Sequence, residues 1–144
     1  EVQKIIKESP GDCSFIYLMS DGKAKKSEFY IRDPSRFLVF TPDQPIVDGE
    51  DKVDPIPNTL YGGHYNDKMK EVLSRRHGQL TPEVLMNEVI PEFVMPSNFQ
   101  NVVYDPVNLK FWVSNAKSAT EPAAQQPYLE FDFARELKKF RESK

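Results

Sequence analysis

Few side chains in this sequence can do covalent chemistry. Cys13 is the only thiol and so the only possible thiol nucleophile. Such a nucleophile needs a base or a positive field beside it. The ordinary reading of Cys13, at the head of an apolar strand, is a buried structural residue. The chain has two histidines, His64 and His77. His64 sits in Tyr61-Gly62-Gly63-His64-Tyr65, just ahead of a helix, where it reads as an acid, a base or a plain cap. Paired glycines at such a junction let backbone approach an anion, although the spacing matches no phosphate loop. Asn98, in Pro96-Ser97-Asn98-Phe99-Gln100-Asn101, precedes an apolar strand. An amide there can orient a substrate carbonyl or simply serve the turn. Asp33, Asp105 and Asp132 read as turn or solvent-face residues and show no metal-ligand spacing. One Cys and two His supply neither a disulfide framework nor a zinc cluster, so no metal or cofactor is expected.

These residues hang on an alternating pattern of strands and helices. Val2, Ile5 and Ile6 share a face of a first helix that ends at Pro10-Gly11. The chain thus opens inside a helix, and the expectation is a piece cut from a longer protein. Cys13–Ser20, Glu28–Arg32 and Arg36–Phe40 read as an antiparallel meander, with an Asp21-Gly22 turn. Within it Phe29 and Ile31 should face one way, and Glu28, Tyr30 and Arg32 the other. The stretch 41–59 carries Pro42, Pro45, Pro55 and Pro57 and reads as a surface loop. Tyr65, Met69, Val72 and Leu73 mark a helix stripe, with Gly78 beyond its end. Thr81-Pro82-Glu83 opens the next helix, which should close at Pro91. Met69 and Met86 read as core.

Two strands follow around an Asp105–Asn108 turn. Leu109, Phe111 and Val113 alternate with Lys110 and Trp112 and are expected to face the core. The last strand, Tyr128–Phe133, should put Leu129, Phe131 and Phe133 on one face, before a charged terminal helix. Strand groups on either side of a helix pair give an α+β fold with antiparallel sheets and packed helices.

Composition narrows the class. The chain has 144 residues, 39% of them hydrophobic and 12% aromatic, which suits a single folded domain or part of one. The net charge of −3 argues against nucleic acid as the main partner. No apolar run reaches the roughly 20 residues of a membrane span.

One segment carries a resemblance. Residues 97–116 read Ser-Asn-Phe-Gln-Asn-Val-Val-Tyr-Asp-Pro-Val-Asn-Leu-Lys-Phe-Trp-Val-Ser-Asn-Ala. This is similar to the late hairpin of the isopenicillin-N acyltransferase-like branch of the N-terminal-nucleophile (Ntn) hydrolases, which typically reads Asn-Leu-His-Asn-Val-Val-Phe-Asp-Pro…Leu-Trp-Val-Ala-Asn-Ala. A Pro-Tyr-hydrophobic-acidic strand follows in that family, as Pro127-Tyr128-Leu129-Glu130 does here. The order of helix, Cys-bearing strand and Asp-Gly turn at the start also resembles it, so the likeness covers nearly the whole chain.

The resemblance implies an αββα sandwich and acyl transfer or hydrolysis at linear, non-peptide amide bonds. The nucleophile there is a Cys freed as a new N-terminus by self-cleavage, with its own α-amino group as base. No counterpart is present, and Cys13 matches a strand position. The implied function is therefore the C-terminal portion of such an enzyme, 1–144 being a single domain or a fragment of a larger one. By itself it would be inactive. Its partners would be the N-terminal half of the parent and a small-molecule amide or acyl substrate. Asn98 matches the Asn that opens the family's late hairpin near the substrate pocket. Where the family has an oxyanion-donating Asn-His pair, this chain has Gly63-His64, which keeps His64 as a substrate-side residue. The alternatives are a catalytically inactive relative used as a binding or structural module, and an unrelated α+β interaction domain.

Overall fold

The computed structural model describes residues 1–9, 13–63 and 66–143. The expected breaker Pro10-Gly11, His64 and Tyr65 lie outside the described residues. The fold is mixed α+β with antiparallel sheets. It divides into two compact units, 1–20 with 26–66, and 21–25 with 67–144.

In the first unit, helix α1 (Val2–Glu8) ends where Ser9 turns its N–H and its Oγ back to the Ile5 carbonyl, at 2.9 and 2.7 Å. Strands β1 (Phe15–Asp21), β2 (Lys26–Arg32) and β3 (Phe37–Phe40) form a sheet in that order. The register of β2 and β3 runs from Phe29↔Phe40 to Arg32↔Phe37. Cys13 is exposed, contrary to the buried reading, because β1 begins only at Phe15 and Cys13 precedes the paired backbone. Tyr30 also departs from expectation. It is buried along with Phe29 and Ile31 rather than facing solvent. The alternating residues Phe29, Tyr30 and Ile31 of β2 are all buried, so neither face of the strand is open there. The Tyr30 ring packs 5.5 Å from that of Phe37, and its hydroxyl donates to Glu28. After β2, the Asp33 carboxylate accepts from the backbone of Ser35 and Arg36 and pairs with the Arg36 guanidinium. The Arg36 bonds, then those of Ser35, hold its carboxyl far below the usual carboxylate range.

The stretch expected to be a loop contains a hairpin, β4 (Ile46–Asp48) and β5 (Asp51–Val53), paired Ile46↔Val53 and Asp48↔Asp51. Its turn places Gly49 at φ +64, the conformation glycine adopts without penalty. The four prolines flank this hairpin and interrupt none of its ladder, so Ile46 and Val53 can be buried.

In the second unit, α2 (Asn66–Arg75) buries Met69, Val72 and Leu73, the expected stripe. Gly78 takes φ +77 just beyond it. Thr81 caps the following helix, its Oγ1 accepting from the Val84 N–H at 3.3 Å. That helix does not close at Pro91. A turn α3 (Pro82–Val84) leads into a π turn (Leu85–Val89), and α4 (Ile90–Phe93) carries Pro91 in its first turn. Proline lacks only a donor, and a first-turn position needs none. The wider π turn restarts the helix so that Pro91 falls there.

Strands β6 (Gln100–Asp105), β7 (Lys110–Asn115) and β8 (Leu129–Asp132) make an antiparallel sheet with β7 central. Here the expected orientation is wrong by one residue. Trp112 and Ser114 are the buried pair, 8% and 1% exposed, together with Val103. Leu109 is not in the strand at all. It closes the β6–β7 loop at φ +53, while the Asp105 carboxylate accepts from the backbone N–H groups of Val107 and Asn108. The β1–β2 loop repeats this design, with Asp21 capping Lys23 and Ala24 and Lys25 at φ 52. Phe133 is likewise not a strand residue. Asp132 accepts from the Arg135 N–H at 2.8 Å and so starts α5 (Phe133–Glu142) at Phe133.

Candidate functional site

Register assigns every residue of the β6–β8 sheet to a face. Asn101, Val103, Lys110, Trp112, Ser114 and Glu130 point one way. That face is covered by the 82–93 helix and by a 3₁₀ turn (Ala123–Gln125). The Ser114 hydroxyl donates to the Ala123 carbonyl, and Trp112 Nε1 donates to Glu130 at 3.1 Å. Val102, Tyr104, Phe111, Val113, Leu129 and Phe131 point the other way. There the rings of Phe111 and Phe131 stack with centroids 4.9 Å apart, and Tyr104 adjoins Phe111 at 6.1 Å. This face is open, with Tyr104, Leu129 and Phe131 respectively 69, 63 and 45% exposed.

Asn98 lies where the chain enters β6. Its carbonyl accepts from the Ala123 N–H at 3.0 Å, and its Nδ2 donates to the Gln100 carbonyl at 3.1 Å. A carbonyl can only accept, so this bond fixes which way the amide is turned. Its Oδ1 is left as a buried acceptor without a partner. Asn98 thus presents an acceptor inward, suited to a ligand N–H, while one donor is held by its own turn.

Two further polar atoms of this unit are buried, and sequence reasoning did not single them out. Asn101 Nδ2 and Tyr128 Oη both lack a well-formed hydrogen bond. Burial pushes the Tyr128 hydroxyl pKa up, and the neighbouring Asn101 amide draws it partly back. An unpaired buried polar group costs about 1–3 kcal/mol. The one available signal was Tyr128 itself, since a tyrosine before an apolar strand buries its ring and must then find a partner for its hydroxyl.

His64 lies outside the described residues. The glycines before it have separate causes. A Cβ on Gly62 would lie 2.9 Å from the Phe29 ring, and Gly63 takes φ +115. Packing and backbone conformation therefore account for a pair first considered as an anion cradle. Met69 is core, whereas Met86 is half-buried on the helix surface. Among the described residues no three His, Cys, Asp or Glu side chains group to hold a metal ion, and no helix is long and apolar enough to cross a membrane.

Comparison with protein-family models, with curated proteins and with solved structures finds no match to this chain.

Proposed function

We propose that this chain is the C-terminal portion of a cysteine Ntn hydrolase or acyltransferase acting on linear amide bonds, with the nucleophile on a part of the parent ahead of Glu1. One observation carries the reading beyond the motif in 97–116. The β6–β8 sheet has helices on one face and an open apolar face on the other. An antiparallel sheet with helices on one face and an uncovered apolar surface on the other is suited to take a second layer there. A second sheet from the N-terminal half, packed about 10 Å away, would complete the αββα sandwich. In this reading the parent's freed Cys thiol attacks the amide carbonyl, its α-amino group takes the thiol proton and passes it to the departing amine, and water or an acceptor amine then cleaves the thioester. Asn98 holds a substrate N–H through its unpaired Oδ1.

A second reading, a catalytically inactive relative, is favoured by Gly63. Its φ of +115 suits glycine, so the position where the family carries an oxyanion-donating Asn is shaped for a residue without a side chain.

The test is to express the parent with its upstream sequence and look by mass spectrometry for self-cleavage that leaves an N-terminal Cys. Acyl release from penicillin-type, bile-salt-type and N-acyl amino-acid amides is then compared between the parent and the 144-residue chain. Turnover is expected from the processed parent alone. Processing without turnover selects the inactive reading. Turnover by the 144-residue chain that vanishes in Cys13→Ser overturns both.

A further inference from the structure

Strand β1 is an unguarded edge. The first sheet runs in the order β1-β2-β3, so one side of β1 meets β2 and the other meets no strand. Among the described residues no backbone group of 15–20 bonds outside that ladder. Phe15–Asp21 is seven residues long and holds no proline, and its one charge is the terminal Asp21. Folded sheets normally guard an edge with charge, proline or short length. The other edge strands here do so. β3, β4 and β5 have three or four residues, β8 carries Glu130 and Asp132, and β6 carries Gln100, Asn101 and Asp105.

β1 is also apolar on both faces, with Phe15, Tyr17 and Met19 alternating with Ile16 and Leu18. Phe15 is 50% exposed on one face, and Ile16 and Leu18 are 51 and 57% exposed on the other. Exposed apolar side chains beside an unpaired backbone edge mark a place where another strand adds.

The residues of β1 match the strand to itself. Residues 14–20 read Ser-Phe-Ile-Tyr-Leu-Met-Ser, with the same polarity in both directions about Tyr17. Antiparallel pairing with a second β1 centred there sets Ile16 opposite Leu18, Phe15 opposite Met19 and Ser14 opposite Ser20. Each apolar residue meets an apolar one, each serine a serine, and no like charges face each other. Centring on Leu18 would instead set Phe15 opposite Asp21, and centring on Ile16 would set Ser14 opposite Leu18. The pairing at Tyr17 also brings the rings of Phe15 and Tyr17, 6.0 Å apart in one chain, beside those of the second copy.

We propose that β1 pairs antiparallel with β1 of a second copy about a twofold axis at Tyr17, joining the two three-stranded sheets. Each copy offers one such strand, so the assembly closes as a dimer. β1 belongs to the first unit and the open sheet face invoked for the sandwich to the second, so this pairing stands or fails apart from the acyl-transfer reading.

The test is sedimentation of the 144-residue chain over a wide concentration range. The ladder is short, so a dissociation constant in the micromolar range is expected, with the mass levelling at two copies. Leu18→Lys puts a charge on the edge and should weaken the dimer by about tenfold or more. Register is read by cross-linking in a Cys13→Ser background. Tyr17→Cys sets two thiols directly opposite, with Cα atoms about 4.5–5.5 Å apart, and oxidised glutathione should link them. Leu18→Cys sets its thiols on a diagonal, about 7–8 Å apart, past the reach of an unstrained disulfide, and should link poorly. Far-UV circular dichroism reports whether Leu18→Lys folds, and the Tyr17→Cys linkage decides the question if it does not. A chain that stays monomeric at every concentration, a mass that climbs past two copies, a dimer undiminished in a folded Leu18→Lys protein, or linkage through Leu18→Cys as ready as through Tyr17→Cys would each overturn the assignment.

Discussion

Trp112→Ala and Phe111→Ala are adjacent truncations on β7 that should differ in cost by about twofold, because they open opposite faces of one sheet. Trp112 is buried against the 82–93 helix and the 3₁₀ turn. Its removal leaves a large cavity and should cost about 3–5 kcal/mol, the range for buried aromatic truncations. The lost Nε1 bond adds little, since Glu130 keeps Lys110 at 2.8 Å. Phe111 is half-buried on the open face. It forfeits the stack on Phe131, worth about 0.5–1.5 kcal/mol. About half the value of burying a full Phe goes with it, roughly 1 kcal/mol. The sum is about 1.5–2.5 kcal/mol. Urea unfolding followed by far-UV circular dichroism is the suitable assay, because Trp112→Ala removes the only indole. With m of about 1–3 kcal/mol/M, Trp112→Ala should lower the midpoint by about 1 M or more. Phe111→Ala should lower it by about half as much. A Phe111→Ala cost equal to or above that of Trp112→Ala would show that the β7 orientation is wrong. The same Phe111→Ala change in a longer parent tests the sandwich reading, for there it should rise to about 3–5 kcal/mol as the face becomes covered.

Ser114→Ala should cost about 1–3 kcal/mol in the same assay, because the fully buried Ala123 carbonyl loses its hydroxyl donor. In the second unit, Gly22→Ala places a Cβ 2.0 Å from the Pro106 carbonyl oxygen. Backbone cannot yield as a side-chain tip does, so a loss of about 1–3 kcal/mol is expected from the urea midpoint. Tyr30 titrates late, its hydroxyl pushed up to about 12 by burial and by its bond to Glu28. A raised folded pKa means that this contribution is complete below the ordinary tyrosine value of about 10 and is lost as pH rises towards 12. Absorbance at the tyrosinate band should show one hydroxyl ionising last, and Tyr30→Phe should remove that phase.

The features legible in the sequence are those decided within a few residues. The α2 stripe needs only the helical period, and the Thr81 cap and the Gly78 stop need only the backbone groups beside them. Asn98 was legible by type, but its setting was not, since its backbone carbonyl is held by the N–H of Ala123, which is remote in sequence, while its Nδ2 turns to the Gln100 carbonyl. Tyr128 and Asn101 stayed hidden for the same reason. Each is ordinary alone, and the pair exists only once β6 and β8 both lie beside β7.

Period-two alternation on β7 told which residues share a face. It could not tell which face the helices cover. With Phe111 and Val113 on one side, and Trp112 among Lys110 and Ser114 on the other, alternation pointed to the Phe111 face as the covered one, and hydrophobicity alone chose wrongly. The choice came from the 82–93 helix and the 3₁₀ turn settling over Trp112 and Ser114. Tyr30 was misjudged likewise, because Glu28 and Arg32 on its face suggested solvent while the Phe37 ring packs on it and it is buried. The sequence by itself determined the kinds of elements, their caps and most of their stops, because those follow from local hydrogen bonds and periodicity. Only the tertiary structure decided which faces are covered and how a helix passes Pro91, because burial is a property of what packs on an element and not of the element.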